Sequence, residues 1–321
     1  MAYITNEILK QQLAFTLSET DFDQLGVKYT GKIRDNYTNG DQRILVVTDK
    51  LSAFDRIITT IPFKGQVLNQ MALFWFDLTK DICPNHLISS PDPNCVIAKQ
   101  CEPIPVEMVV RGYITGSTGT SIWHNYNLGS RNFCGNELPD GLRKNQKLEQ
   151  PIITPSTKAE KGDHDESVSK EELIKRGAVT EEDFNDMAQK ALALYNKGVE
   201  HCAKHGIIFV DTKYEFGQAP NGEIILIDEI HTPDSSRFWL ANNYLERFEQ
   251  NEEPDNINKE FLRLWLANQG YTGEGPIPHI PDEIRIETAQ KYIQAYEQIT
   301  GLKLDVEIGD PLPRIKANLH I

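Results

Sequence analysis

The chain has 321 residues, 39% hydrophobic and 25% charged, which is ordinary globular usage with material for one large domain or two joined ones. A formal net charge of −14 speaks against nucleic acid as a partner, because such binding rests on Lys and Arg neutralising phosphates, yet one locally basic pocket on an acidic protein still suits a small anion. No apolar run reaches the roughly 18 residues of a membrane helix, the N-terminal stretch lacks signal or transit character, and five cysteines without a CxxC pair fit reduced thiols, so the expected setting is the cytoplasm with no membrane partner.

In chain order, residues 27–30 and 33–37 are short extended runs, Thr38-Asn39-Gly40-Asp41 is a hairpin turn signal, and 43–48 is a strand rich in β-branched residues. Residues 68–78 have helical spacing and many aromatics, as a core helix does. Strands are expected over 95–99 and 106–111, separated by a kink at Pro103 and Pro105. These segments predict an N-terminal antiparallel β lobe over residues 1–112, followed by a larger α+β lobe over 113–321. Within the latter, residues 151–169 are poor in apolar side chains and rich in charge, and read as a long surface loop. Residues 180–205 carry the clearest helix pattern. Thr180 is the N-cap with Asp183 three residues on, and Phe184, Met187, Ala188, Ala191, Leu194, Tyr195, Val199 and Cys202 form the apolar stripe. Lys204 and His205 lie at the negative end of the dipole, and Gly206 ends the helix. Two strands, 207–216 and 223–229, follow around a Gln-Ala-Pro-Asn-Gly turn, and helices are expected over 258–268 and 282–299.

Several clusters along this order could carry chemistry. Strand side chains alternate, so Asp211, Lys213 and Glu215 share one face while Thr212, Tyr214 and Phe216 take the other, and the next strand returns Asp228 to the same neighbourhood. Three carboxylates and an ammonium on one patch suit a hard cation with phosphate. The alternative is a surface strand of solvated ion pairs. The flanking runs IIFV and IILI argue for a buried sheet, where unpaired charges would cost several kcal/mol. Gly31, flanked by Lys32 and Arg34 in the first hairpin, can close over a triphosphate without being a Walker A loop; an ordinary turn with solvated charges is the alternative. Arg111, followed by glycines and hydroxyls as far as Ser117 and Gly119, makes an oxyanion cradle or a Gly-rich connector. Arg237 beside Ser235 and Ser236 is a second candidate phosphate contact. By composition the stretch containing Lys158, Asp163, His164 and Asp165 is only a polar loop. His201, Cys202 and His205 lack further spaced metal ligands and read as helix-end residues.

Taken together, seven segments resemble the SAICAR synthetase family, the phosphoribosylaminoimidazole-succinocarboxamide synthases of purine biosynthesis. They are GKIRD (31–35), TDKLSAFD (48–55), IPFKG (61–65), VVRGYITGS (109–117), PSTKAEKGDHDE (155–166), DTKYEFG (211–217) and IDEIHTPDSSRFW (227–239), and they occur in the family's order. The wording of RGYITGS and TPDSSRFW looks like the longer, yeast-type branch. This resemblance implies a two-lobed ATP-binding α+β fold with a kinase-like N-terminal sheet, ATP lying between the lobes. It further implies an ATP-dependent ligase joining L-aspartate to the carboxylate of 5-amino-1-(5-phosphoribosyl)imidazole-4-carboxylate (CAIR) through an acyl phosphate, with SAICAR, ADP and phosphate as products.

Carried onto this chain, Gly31, Lys32 and Arg34 would hold the ATP phosphates, Glu215 and Asp228 would hold Mg²⁺, and Lys213 would neutralise the transferring group. Arg111, Ser117 and Arg237 would bind the ribose 5′-phosphate, with Lys158, Asp163, His164 and Asp165 as further substrate contacts, His164 or Asp165 assisting the aspartate amine. A carboxylate with a pKa of about 4 is already ionised, so no kinase-type base is needed. Asp211 is left without a role, the adenine contacts are expected along residues 96–107, and a monomer or small homo-oligomer is expected. The rival readings are a small-molecule kinase of the inositol-phosphate type, which shares an Asp-x-Lys strand motif, and a non-catalytic nucleotide-binding regulator, which would not retain the full set of charged ligands.

Overall fold

The computed structural model describes residues 4–54, 56–158, 166–257 and 260–321; Asp163, His164 and Asp165 lie outside the described residues, as does Asp55 of the TDKLSAFD segment. The chain is a mixed α+β protein built of antiparallel sheets and divides into two compact units, one of residues 1–74, 87–100 and 257–321, the other of 75–86 and 101–256.

In the first unit, five strands run in the spatial order Val27–Thr30, Arg34–Asn39, Gln42–Val47, Cys95–Lys99 and Leu87–Asp92, every neighbouring pair antiparallel. Asn39 pairs with Gln42 across Gly40 and Asp41, and Gly40 takes the left-handed conformation (φ 58°) that this tight turn requires. The core helix begins four residues before the aromatic pattern, at Lys64–Thr79. Its start is held from far upstream: the buried Asp49 carboxylate accepts the Gly65 N–H at 2.8 Å and the Leu17 N–H at 2.7 Å. Burial outweighs those hydrogen bonds and pushes the Asp49 carboxyl up to about 6. A helix not expected from the sequence reading, Pro311–Leu319, capped by Asp310 with proline in its first turn, adds Ile315 to the core formed by Leu17, Phe22, Tyr37 and Val46, and Arg314 forks onto Asp92 at 2.9 and 3.1 Å.

The second unit is organised by a six-stranded antiparallel sheet. Its main path runs Gln146–Ile153, Glu102–Ile114, Ile207–Gln218 and Ile224–Ile227, with Ser156–Thr157 also on Glu102–Ile114 and Ser236–Leu240 also on Ile207–Gln218. Two expectations are corrected here. Glu102–Ile114 does not complete the first sheet but falls in the second unit, where it pairs with Ile207–Gln218 from Glu102 opposite Gln218 to Arg111 opposite Asp211, and in place of lobes 1–112 and 113–321 the units are discontinuous, with residues 257–321 in the first and 75–86 in the second. Pro103 is accommodated because the ladder shifts register between Glu215 and Gly217 and sets Gly217 opposite it. Residues 151–169 are not a continuous loop: Ile152 and Ile153 pair with Arg111 and Val110, and Ser156 and Thr157 pair with Glu107 and Val106. The prolines at 151 and 155 and the mixed burial of these side strands hid the period-2 alternation.

The helix Glu181–Lys204 forms as expected, with Thr180 Oγ1 accepting the Asp183 N–H at 3.1 Å and Gly206 left-handed at φ 69°. Val199 is 36% exposed, and the buried position in that turn is Gly198, which lets the helix approach the Phe209 ring. Tyr195 on this helix donates to the Phe209 carbonyl at 2.8 Å, and a Cβ on Gly112 would stand 2.2 Å from the Tyr195 hydroxyl. Gly112→Ala is therefore expected to lower stability by about 1–3 kcal/mol through overpacking, read as an earlier denaturant midpoint. Helices Glu260–Asn268 and Asp282–Thr300 match their expected positions. Among the described residues, no helix is long and apolar enough to cross a membrane.

Candidate active site

Strand Ile207–Gln218 lies between Glu102–Ile114 on one side and Ser236–Leu240 and Ile224–Ile227 on the other. Alternation buries Thr212, Tyr214 and Phe216 almost completely and turns Asp211, Lys213 and Glu215 to the opposite face. Register then chooses their neighbours, because directly opposed residues share a face. Asp211 stands opposite both Arg111 and Arg237, Lys213 opposite Val109, and Glu215 opposite both Glu107 and Ile227. The face thus carries a basic layer at one end and an acidic layer at the other.

In the basic layer the Arg111 Nε donates to Thr154 Oγ1 at 2.7 Å and its Nη2 donates to the Thr120 carbonyl at 3.1 Å. Its Nη1 lies 3.4 Å from Asp211 Oδ2, and Arg237 Nη1 donates to that same oxygen at 2.5 Å. Burial lowers the Arg111 pKa from its ordinary value, against the opposing pull of Asp211. The RGYITGS turn lies against this layer: Gly116 is left-handed at φ 94°, and a Cβ there would stand 2.5 Å from Ser121 Oγ and 3.3 Å from Arg237 Nη2. Ser117 follows on the exposed side of the turn.

In the acidic layer Lys213 Nζ lies 2.5 Å from Glu107 Oε1 and 3.6 Å from Glu215 Oε1, while Lys158 Nζ donates to Glu215 Oε2 at 2.5 Å. Ser156 donates to Glu107 Oε2 at 3.3 Å. Asp228 follows Ile227 directly and takes a left-handed φ of 68°, a conformation Asp tolerates better than most residues. The next left-handed residue, His231 at φ 51°, is fully buried with its Nε2 2.6 Å from the Tyr214 hydroxyl, which fixes the far end of this turn against the back of the central strand. Burial raises the Glu215 pKa, and the negative charge of Asp228 raises it further against the pull of Lys213 and Lys158. Burial alone would lower the Lys213 pKa, but the carboxylates of Glu107 and Glu215 outweigh it and the pKa rises. Lys213 and Lys158 thus face a layer of carboxylates that includes Glu107, Glu215 and Asp228. No cluster of three or more His, Cys, Asp or Glu residues able to hold a metal occurs among the described residues; Glu215 and Asp228 are near enough for the charge of one to act on the other.

Sequence-predicted residues Lys158, Lys213, Glu215 and Asp228 are therefore brought together, as are Arg111 and Arg237. Gly31, Lys32 and Arg34 belong to the first unit, where the Gly31 N–H donates to the Arg34 carbonyl at 2.8 Å, Lys32 is exposed and Arg34 is half-buried. Asp35 anchors that hairpin, accepting the Thr20 N–H at 2.6 Å and hydroxyl at 2.9 Å. One contributor escaped the sequence reading, Glu107. An isolated acid within the apolar run of Glu102–Ile114, four residues before Arg111 and so on its face, was the available signal for Glu107. Thr154 opened the polar stretch already singled out, but its place as a partner of Arg111 depends on the pairing of the neighbouring strands.

Comparison with known proteins follows the same residues. The SAICAR synthetase family model matches residues 27–278. A phosphoribosylaminoimidazole-succinocarboxamide synthase of Legionella pneumophila (strain Lens) is 53% identical over 291 residues, covering 90% of this chain and 92% of that protein. A chloroplastic counterpart from Arabidopsis thaliana is 52% identical over 303 residues, covering 93% of this chain and 73% of that protein. Among solved structures, a SAICAR synthase from Saccharomyces cerevisiae in complex with SAICAR superposes with a TM-score of 0.78 at 32% identity, over 91% of this chain and all of that one.

Proposed function

We infer that this chain, which belongs to the SAICAR synthetase family, is an ATP-dependent carbon–nitrogen ligase of purine biosynthesis that joins L-aspartate to CAIR and releases SAICAR, ADP and phosphate. CAIR's carboxylate is a poor electrophile and needs a leaving group. In our reading it attacks the γ-phosphorus of ATP, ADP departs, and the acyl phosphate is then attacked by the aspartate amine, which loses a proton as inorganic phosphate leaves. Such chemistry asks the protein mainly for positioning and charge neutralisation.

The observation that carries this reading to particular residues is the graded face of the central strand. Its basic and acidic layers are four residues apart, about 13 Å along an extended strand. A substrate with a phosphate at one end and a reacting carboxylate at the other, together with the transferring phosphoryl group, can bridge that span. Arg111 and Arg237 would receive the 5′-phosphate, with Ser117 beside them. Lys213 would neutralise the transferring group from its place between Glu107 and Glu215. Glu215 and Asp228 fit Mg²⁺, because the repulsion of their charges is what a divalent cation relieves, and this ion commonly takes one or two carboxylates plus phosphate oxygens. When bound, it would supply charge neutralisation at the phosphates of ATP. Gly31, Lys32 and Arg34 would hold those phosphates from the first hairpin. Lys158 holds Glu215 in line from the segment that leads to Asp163, His164 and Asp165, which complete the proposed substrate contacts. The five free cysteines support a reducing, cytoplasmic setting.

The test is ATP consumption with CAIR, with and without L-aspartate, alongside detection of SAICAR. Product that requires aspartate supports the ligase. A stable phosphorylated product formed without aspartate would support the small-molecule kinase instead. Arg237→Ala is expected to raise KM for CAIR about tenfold or more while kcat falls much less, since a charge-assisted hydrogen bond to a phosphate is worth roughly 1.5–3 kcal/mol. An unchanged KM would remove Arg237 from the site.

A further inference from the structure

The proposed phosphate site contains a carboxylate that the reading above leaves unused. We propose that Asp211 is a positioning residue: its Oδ2, shared by Arg111 and Arg237, holds the two guanidiniums in the relative orientation that receives the substrate's phosphate. This rests on the reading of Arg111 and Arg237 as the phosphate-binding pair.

Four features of the cluster support it. Asp211 is the register partner of Arg111 on one flanking strand and of Arg237 on the other, so the backbone itself aims all three side chains at one spot. Its side chain is only 8% exposed, so its charge is compensated by these guanidiniums far more than by water. Both arginines meet one oxygen, Arg237 at 2.5 Å and Arg111 at 3.4 Å, which sets the angle between them. Finally, Arg111 is also held by Thr154 and the Thr120 carbonyl, whereas the Arg237 side chain is 32% exposed and long enough to take many rotamers. Arg237 is therefore the partner whose placement depends most on Asp211. Two positive charges against one negative leave the cluster a net positive charge, which an anion would complete.

Two roles for Asp211 make opposite predictions. If it merely cancelled charge, removing its carboxylate would raise the local positive potential and tighten the binding of a phosphate dianion. If it positions the arginines, the same change loosens Arg237 and weakens that binding. The experiment is steady-state kinetics on the full chain, varying CAIR and ATP separately, for wild type, Asp211→Asn, Arg237→Ala and the double variant. Asp211→Asn is expected to raise KM for CAIR about tenfold with KM for ATP changed less than about twofold, and to add less than about threefold in the Arg237→Ala background, because it acts through that arginine. A lowered or unchanged KM for CAIR in Asp211→Asn, or an effect of full size in the double variant, overturns the proposal. Should Asp211→Asn fail to fold, Asp211→Glu keeps the charge and displaces it by one methylene; a raised KM for CAIR supports positioning, and a normal one overturns it. Wild-type protein that forms no SAICAR would overturn the functional reading itself. Active wild type with an unaffected Asp211→Asn overturns the Asp211 assignment alone.

Discussion

Asp228→Asn is expected to lower kcat/KM for ATP by about a thousandfold or more while the protein stays folded, because on the proposed assignment it removes a metal carboxylate and with it several kcal/mol of charge stabilisation. The variant isolates charge from shape. Asn enters the left-handed region as readily as Asp, so the φ of 68° at this position and the turn around it persist. Burial, the larger cause of the raised Glu215 pKa, stays in this variant, but neutralising Asp228 removes the second cause, so that carboxylate ionises more readily. The result therefore separates two possibilities by measurement. If Glu215 alone could supply the metal site, the variant would keep substantial turnover at raised Mg²⁺. Turnover within about tenfold of wild type would remove Asp228 from the catalytic centre.

Lys213→Met is expected to abolish most turnover and to destabilise the fold as well. The ammonium sits between Glu107 and Glu215, whose side chains are only 9% and 13% exposed, so its loss leaves two carboxylates facing one another across the ladder. Breaking a fully buried pair costs about 3–5 kcal/mol; the Lys213 side chain is 37% exposed, so a destabilisation of about 1–2 kcal/mol is expected. The pH dependence has a definite sign. Glu215 already has a folded-state pKa above its unfolded value, and removing Lys213 raises it further. A carboxyl raised in this way favours the folded state when protonated and costs stability as pH rises through its folded pKa. The variant's stability deficit should consequently be larger near pH 8 than near pH 5, measured by urea unfolding at both. A deficit independent of pH would mean that Lys213 does not hold Glu215 ionised. For kcat, a loss of about a thousandfold is expected, and Lys213→Arg should recover little of it, since a planar guanidinium does not replace a compact ammonium between two carboxylates.

Much of this protein was legible in its residues because the relevant physics is local. Alternation along Ile207–Gln218 put Asp211, Lys213 and Glu215 on one face before any partner strand was known. The Thr180 cap, the apolar stripe and Gly206 marked the long helix nearly to its ends. Seven short segments in family order pointed to the enzyme class, and the relatives bear that out. Pairing is not local, and there the sequence was silent or misleading. Glu102–Ile114 follows the first sheet in the chain yet pairs with a strand about a hundred residues later, since Arg111 and Asp211 are 100 positions apart. Whether a strand continues the preceding sheet or begins another depends on which partner offers the complementary buried face, and period-2 alternation is the same in both cases. The helix start depends on Asp49, 16 positions before the Gly65 it holds, and no pattern within the helix records it. Asp211 illustrates the division most sharply. The sequence by itself determined that it shares a face with Lys213 and Glu215; only the tertiary register, by laying Arg111 and Arg237 on either side, decided that its one buried oxygen would serve two arginines.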